Sequence, residues 1–170
     1  MTDDVNTAMM EVVKEAMLAE VKGHQLYTHA ATTTTDPAVR GIFESLARDE
    51  EGHIAILKAQ AKNLFEGGSI DADAVSTAEV GGGSHAIIDD AFKRSLKTGT
   101  FEMAAIGIGC DLEKRAITFY SEHAEKTDDP DLKKLFTWLT NWEKAHLAQL
   151  LELEKFYKDA YWAEQGFMPM

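Results

Sequence analysis

Apolar residues recur every three or four positions along residues 7–65, in two segments separated by a short polar break. In the first segment, about 7–33, these positions include Val13, Met17, Leu18, Tyr27 and Ala31. The second segment opens with Asp36-Pro37, a capping carboxylate followed by a proline suited to a first helical turn. Its apolar stripe consists of Ile42, Phe43, Leu46, Ile54 and Leu57. The pattern predicts a hairpin of two helices over about residues 7–65.

The same pattern returns in the second half of the chain. A third helix is predicted over 101–126, and Asp128-Asp129-Pro130 ends it and starts a fourth helix that reaches about Glu164. The inward positions of the third helix are Met103, Ile106, Ile117, Tyr120 and Ala124. This second hairpin spans about 100–164 and leaves a short tail at 165–170.

The segment between the hairpins, residues 66–99, is rich in glycine and lacks helical periodicity up to Ser84. It is predicted to be a long crossover in which Ser84 caps a short extra helix over 85–97. A chain of 170 residues is within the size range of one domain. The sequence therefore predicts one all-α domain over residues 1–170.

The two hairpins are related by an internal repeat. A shift of 93 residues aligns them without a gap over residues 20–57. The matched pairs include Tyr27 with Tyr120, Asp36-Pro37 with Asp129-Pro130, Phe43 with Phe136, Leu46 with Leu139, and Leu57 with Leu150. Two copies of one hairpin can bury their apolar faces against each other. The repeat thus predicts a four-helix bundle with a pseudo-twofold axis.

The repeat also preserves ionisable residues that the helical phase places inward. Each copy carries one glutamate on its first helix and a Glu-x-x-His on its second, where the two side chains lie one turn apart on one face. The six residues are Glu20, Glu50, His53, Glu113, Glu143 and His146. Buried carboxylates are unfavourable unless a positive group compensates them. Four carboxylates and two imidazoles can hold two divalent ions, and this mixed oxygen and nitrogen set suits iron or manganese.

Composition and charge exclude several other classes of function. The formal net charge of −12 argues against binding to nucleic acid or to anionic membranes. No uncharged apolar run reaches the roughly 20 residues of a membrane span, and no secretory signal precedes the first helix, so we expect a cytoplasmic protein. Cys110 is the only cysteine and aligns with Met17, which predicts a core thiol and excludes a four-thiolate metal site.

With E-x6-Y at 20–27 and 113–120 and E-x-x-H at 50–53 and 143–146, the sequence resembles the rubrerythrin family of the ferritin-like superfamily. The resemblance covers about residues 7–65 and 100–160. It implies a di-iron centre, with manganese as an alternative, that reduces hydrogen peroxide or activates dioxygen. It further implies that Glu50 and Glu143 bridge the ions, that Glu20 and Glu113 bridge or terminate them, and that each ion has one histidine. Tyr27 and Tyr120 would be hydrogen-bonded to ligand carboxylates.

One departure from the family concerns the source of electrons. The chain has no rubredoxin-type module, so the resemblance implies an external donor such as a separate rubredoxin or a reductase. Two alternatives remain open: a ferroxidase that stores iron in a large cage, and a metal-binding bundle without turnover. The aromatic end of the fourth helix predicts a homodimer partner that covers Phe156, Tyr157, Tyr161 and Trp162.

Overall fold

The computed structural model describes residues 2–73 and 99–164, and these residues form four helices and no strand. The helices are α1 (Thr2–Thr33), α2 (Pro37–Phe65), α3 (Thr100–Lys126) and α4 (Pro130–Glu164). Only the start of α1 departs clearly from the predicted bounds, because residues 2–6 are mostly polar and give no apolar periodicity. The extra helix predicted at 85–97 and the tail at 165–170 lie outside the described residues.

Each hairpin turn is built around an aspartate that caps the second helix. The Asp36 Oδ1 atom accepts hydrogen bonds from the backbone amides of Ala38 and Val39, at 2.9 and 3.3 Å. Its repeat partner Asp129 accepts from the amides two and three residues later, at 3.0 and 2.8 Å. These bonds satisfy amides that have no partner inside a helix, so the duplicated Asp-Pro fixes where α2 and α4 begin.

The apolar core is divided into two clusters, and each receives side chains from all four helices. One cluster includes Tyr27, Phe43, Leu46, Ile106, Leu150 and Tyr157. The other includes Val13, Leu57, Tyr120, Phe136 and Leu139. Repeat partners fall in opposite clusters, as a pseudo-twofold axis requires. The predicted four-helix bundle of two hairpins is confirmed, and along each helix the ionisable layer lies between the two clusters.

Two expectations about apolar residues are corrected. Leu18, predicted to face inward, is 59% exposed. It directly follows the half-buried Met17, and a step of one residue turns a helix by about 100°. Tyr157, expected to need cover from a partner, is only 1% exposed because it packs in the cluster that contains Phe43. Tyr161 and Trp162 remain about half exposed at the end of α4.

None of the helices in residues 2–73 and 99–164 is long and apolar enough to span a membrane.

Candidate metal centre

The structure brings all six ionisable residues of the repeat together between the two apolar clusters. α1 and α3 each contribute one glutamate, while α2 and α4 each contribute a glutamate and a histidine three residues later. Every one of the six side chains is almost completely buried. The layer therefore concentrates four carboxyl groups and two imidazoles in the centre of the bundle, where none of them can be hydrated freely.

The six residues form two overlapping groups of potential ligands. The first group contains Glu20, Glu50, His53 and Glu143, and the second contains Glu50, Glu113, Glu143 and His146. Within each group, one nitrogen or oxygen atom per residue lies within 4.8 Å of all the others. Glu50 and Glu143 belong to both groups. The arrangement is a cage with two adjacent candidate ion positions, in which two carboxylates are shared and one Glu and one His complete each end.

The Nδ1 atoms of both histidines face these carboxylates. His53 Nδ1 lies 3.0 Å from Glu20 Oε2 and 3.3 Å from Glu143 Oε1. His146 Nδ1 lies 3.1 Å from Glu143 Oε2 and 3.5 Å from Glu50 Oε1. Glu143 thus places one oxygen towards each imidazole. Nδ1 is the nitrogen that each histidine would offer to an ion.

Two buried tyrosines connect the hairpins across the cage. The Tyr27 hydroxyl on α1 donates a hydrogen bond to Glu113 Oε1 on α3, and the Tyr120 hydroxyl on α3 donates to Glu20 Oε1 on α1. Each tyrosine therefore holds the glutamate of the opposite hairpin. The hydrogen bond occupies Oε1 of Glu20 and leaves its Oε2 directed at His53.

Without an ion, the two end glutamates of the cage retain their protons. Burial raises the pKa of Glu20 well above its usual value, and the nearby charges of Glu143 and Glu50 raise it further. Burial and the same two charges raise the pKa of Glu113 in the same way. Glu20 and Glu113 are therefore neutral well beyond the pH at which an exposed glutamate ionises.

The histidines and the shared glutamates, in contrast, favour their charged forms. Burial alone would lower the pKa of His53, but the carboxyl groups of Glu143, Glu20 and Glu50 around its Nδ1 outweigh burial and raise the pKa well above its usual value. The pKa of His146 is raised likewise, through Asp49, Glu143 and Glu50. Burial would raise the pKa of Glu50 and of Glu143, yet the nearby imidazoles lower it. Both histidines thus favour the charged form beside the carboxylates of Glu50, Glu143 and, at His146, Asp49.

The donor set fits two divalent cations. Two such ions carry four positive charges, which equal the negative charges of four ionised glutamates, so the imidazoles can be neutral ligands. Glu143 Oε1 is a buried carboxylate oxygen with no hydrogen-bond partner among the described residues, although it lies in the cage. Carboxylate oxygens combined with imidazole nitrogens suit iron and manganese. Ion binding would replace the protons that the cage otherwise holds.

This exchange predicts how stability depends on pH. Four groups with raised pKa values keep protons in the fold that the unfolded chain releases at about pH 4.3 for glutamate and about pH 6.5 for histidine. The metal-free protein should therefore lose stability as the pH rises above about 4.3, and more steeply above about 6.5. Bound ions displace these protons, so the increase in Tm caused by Mn²⁺ should be larger at pH 8.5 than at pH 6. Thermal unfolding with and without Mn²⁺ tests this, and a pH-independent increase would contradict it.

Sequence reasoning missed Asp49, Gly23 and two tryptophans at this site. Asp49 is buried, and its Oδ2 atom lies 3.4 Å from His146 Nε2. The Trp138 and Trp142 rings pack against His53, with centroids 5.5 and 5.7 Å from the imidazole. A Cβ atom at Gly23 would lie 3.0 Å from Glu50 Cδ, so a side chain there would press on the Glu50 carboxyl group. The sequence signal that could have identified Asp49 and Trp142 is their position directly before the two Glu-x-x-His motifs.

The other candidate residues lie away from the cage. Cys110 is buried in an apolar cluster, as its alignment with Met17 predicted, and burial raises the pKa of its thiol. The ring of His123 packs on Phe119, with centroids 4.2 Å apart, and His29 contacts Phe101 edge-on. None of these three residues belongs to either ligand group. His85 lies outside the described residues.

A cleft of about 560 Å³ between α1 and α3 leads from the surface to the cage. Its floor includes the carboxyl groups of Glu20, Glu50, Glu113 and Glu143. The small residues Ala19, Gly23 and Ala116 line its sides, together with Leu18, Leu112 and Phe119. Lys22 and Arg115 also line the cleft. Small molecules can therefore approach all four carboxylates from one side of the bundle.

Comparison with known proteins gives one family match. The model of the family described as Rubrerythrin matches residues 11–154, a range that contains all six ligand candidates and both tyrosines. No curated protein and no solved structure shows a significant match to the chain.

Proposed function

The chain belongs to the rubrerythrin family, and on this premise we propose that it is a non-haem di-iron oxidoreductase that reduces hydrogen peroxide or activates dioxygen. Manganese is the alternative metal. The observation that carries the proposal is a buried cage with two ion positions whose four carboxylates are reached through a cleft. A purely structural metal site has its coordination closed by protein ligands, whereas catalysis needs access for an external molecule.

The residues of the chain have separate roles in this proposal. Glu50 and Glu143 would be shared by the two ions, while Glu20 with His53 and Glu113 with His146 would complete the two ends. When bound, the ion pair supplies the two electrons that convert one peroxide molecule and two protons into two molecules of water. The tyrosine hydroxyls hold the terminal glutamates in place, because each donates to one carboxylate oxygen and leaves the other for an ion.

The cleft between α1 and α3 is the proposed route for the oxidant. The side chains of Ala19 and Ala116 are too short to close it, and Gly23 has no side chain. Lys22, Arg115 and Glu15 place charges of both signs along a passage that ends at four acidic groups. A small neutral molecule such as hydrogen peroxide has no charge to be repelled there, and its oxygen atoms would arrive beside the bridging carboxylates.

The electrons for repeated turnover are proposed to come from a separate protein. These 170 residues contain a single cysteine, which is buried, so they cannot form the four-thiolate iron site of a rubredoxin. A rubredoxin or a reductase is the proposed donor. We also propose a homodimer, which the half-exposed Tyr161 and Trp162 support, since paired aromatic residues are frequent anchors in interfaces.

Anaerobic loading with Fe²⁺ followed by hydrogen peroxide tests this function. We expect two ions per chain, consumption of one peroxide per ion pair, and a change in the visible absorption of the iron. Ala116→Leu should slow this reaction by narrowing the cleft without changing the iron content. Ala104→Leu is the matched control, since Ala104 is an exposed residue of α3 that does not line the cleft, and it should react at the wild-type rate.

Loaded protein that leaves peroxide unconsumed would contradict the proposal. Light scattering of the same sample distinguishes iron storage from the proposed enzyme. A storage protein would have the mass of a large cage of many subunits, whereas the proposed enzyme would have the mass of a dimer. If two ions bind but peroxide is not consumed and no large cage forms, the remaining alternative is a metal-binding bundle without turnover.

A further inference from the structure

The internal repeat is broken at the residue that precedes each Glu-x-x-His. Asp49 stands before Glu50 in α2, and the shift of 93 residues places Trp142, which stands before Glu143 in α4, at the equivalent position. The glutamates, the histidines and the tyrosines of the cage are the same in both copies. The environment behind the two histidines is therefore one place where the two halves of the cage differ.

Behind His146 lies a buried carboxylate. The imidazole directs Nδ1 into the cage, and its Nε2 lies 3.4 Å from Asp49 Oδ2 on the neighbouring helix α2. A neutral histidine that gives Nδ1 to an ion carries its proton on Nε2, so this proton would face Asp49. In the structure His146 Nε2 has no hydrogen-bond partner among the described residues, and a small rotation of the Asp49 carboxylate would complete the hydrogen bond. Such a carboxylate fixes the tautomer and orientation of a metal-bound imidazole and makes it a stronger donor.

Behind His53 the described part of the chain places no such carboxylate. The equivalent space is occupied by the indole of Trp142 and, beside it, by Trp138, at interplanar angles of 73° and 76° to the imidazole. His53 Nε2 is buried and has no hydrogen-bond partner among the described residues. An N–H group that faces an aromatic ring gains only a weak interaction. His53 is thus held in place by the packing of the two tryptophans, and no negative charge behind Nε2 makes its Nδ1 a stronger ligand for an ion.

We propose that Asp49 is a positioning residue that makes the two ion positions unequal. The position formed with Glu113 and His146 binds its ion more tightly than the position formed with Glu20 and His53. The ions consequently enter the cage in a fixed order, with the Asp49-backed position filled first. This inference rests on the proposed metal binding but not on the proposed peroxide chemistry.

Variants that keep one histidine at a time isolate the two positions. In His53→Ala the position backed by Asp49 keeps all its ligands, and in His146→Ala the opposite position does. Each metal-free variant is titrated with Mn²⁺, and binding is monitored by calorimetry and electron paramagnetic resonance. These measurements give the Mn²⁺ affinity of the position that keeps its histidine. We expect His53→Ala to bind its ion about 10- to 100-fold more tightly than His146→Ala, the usual effect of such a partner.

Asp49→Asn is then added to each background. It should weaken binding by about the same factor in His53→Ala and have little effect in His146→Ala. Trp138→Phe retains an aromatic ring beside His53 and serves as the control that should leave the His53→Ala affinity unchanged. Circular dichroism confirms that each variant is folded, and Asp49→Ser replaces Asp49→Asn if that variant is not.

Two results would overturn the inference. Equal affinities of His53→Ala and His146→Ala would show that the positions do not differ, and equal weakening by Asp49→Asn in both backgrounds would show a general structural effect. Both results would leave the di-iron function standing. If the wild-type chain bound no Mn²⁺ and no Fe²⁺, the metal centre itself would be wrong, and the inference would fall with it.

Discussion

Glu143→Gln is expected to remove both ions from the protein, whereas Glu113→Gln should remove only one. Glu143 belongs to both ligand groups and directs one oxygen towards each histidine, while Glu113 belongs to a single group. Loss of a shared ligand should reduce the affinity for each ion by more than the roughly 10- to 100-fold caused by loss of a residue behind a ligand. Elemental analysis after loading with excess Fe²⁺ measures the stoichiometry directly.

The same substitution should also destabilise the metal-free protein. Two buried imidazolium ions depend on Glu143, and removal of one partner from a buried ion pair costs about 3–5 kcal/mol. Glu152→Gln is a matched control, because Glu152 is an exposed residue of the same helix and should change neither the iron content nor the stability. If Glu143→Gln retained two ions per chain, the shared position of this residue in the cage would be refuted.

Phe43→Ala and Phe136→Ala should each lower the free energy of unfolding by about 3–5 kcal/mol, as expected for a large cavity in a core. Both rings are fully buried and occupy equivalent places in the repeat. Each stacks on the tyrosine of its own hairpin, Phe43 on Tyr27 and Phe136 on Tyr120, with centroids 6.3 and 5.6 Å apart. The two losses should therefore be similar.

Urea unfolding of the metal-free protein measures these losses without interference from bound ions. Phe65→Ala is the control, since Phe65 is 84% exposed and its removal should change stability by no more than about 0.5 kcal/mol. A loss below 1 kcal/mol at Phe43 or Phe136 would show that the aromatic pair does not support the core in that half of the bundle.

The bundle and the six candidate ligands could be predicted from the sequence because local signals repeat. The Asp-Pro pairs determine where α2 and α4 begin, and a shift of 93 residues selects the polar residues that both copies share. Asp49 could not be selected in this way, since its partner is Trp142 and comparison of the copies retains only what is common. Its contact with His146 depends on how α2 and α4 are rotated, which the repeat does not encode.

The cleft and the choice of tyrosine partners also depended on the packing between hairpins. The family resemblance implied that Tyr27 and Tyr120 donate hydrogen bonds to carboxylates, but not that each would reach the opposite hairpin. Leu18 was assigned to the core because apolar periodicity locates the buried face of a helix only approximately, and an error of one residue places a side chain on the surface. The open side between α1 and α3 follows from small residues whose effect appears only when the two helices are set together.

The crossed tyrosine bonds mean that neither hairpin contains a complete half of the centre. Each copy supplies a glutamate whose position is set by the other copy, so a lone hairpin would have to find a second one before it could hold an ion pair. The covalent connection through residues 66–99 converts that encounter into an intramolecular one, with an effective concentration set by the linker. Assembly of the cage therefore does not depend on how much protein is present.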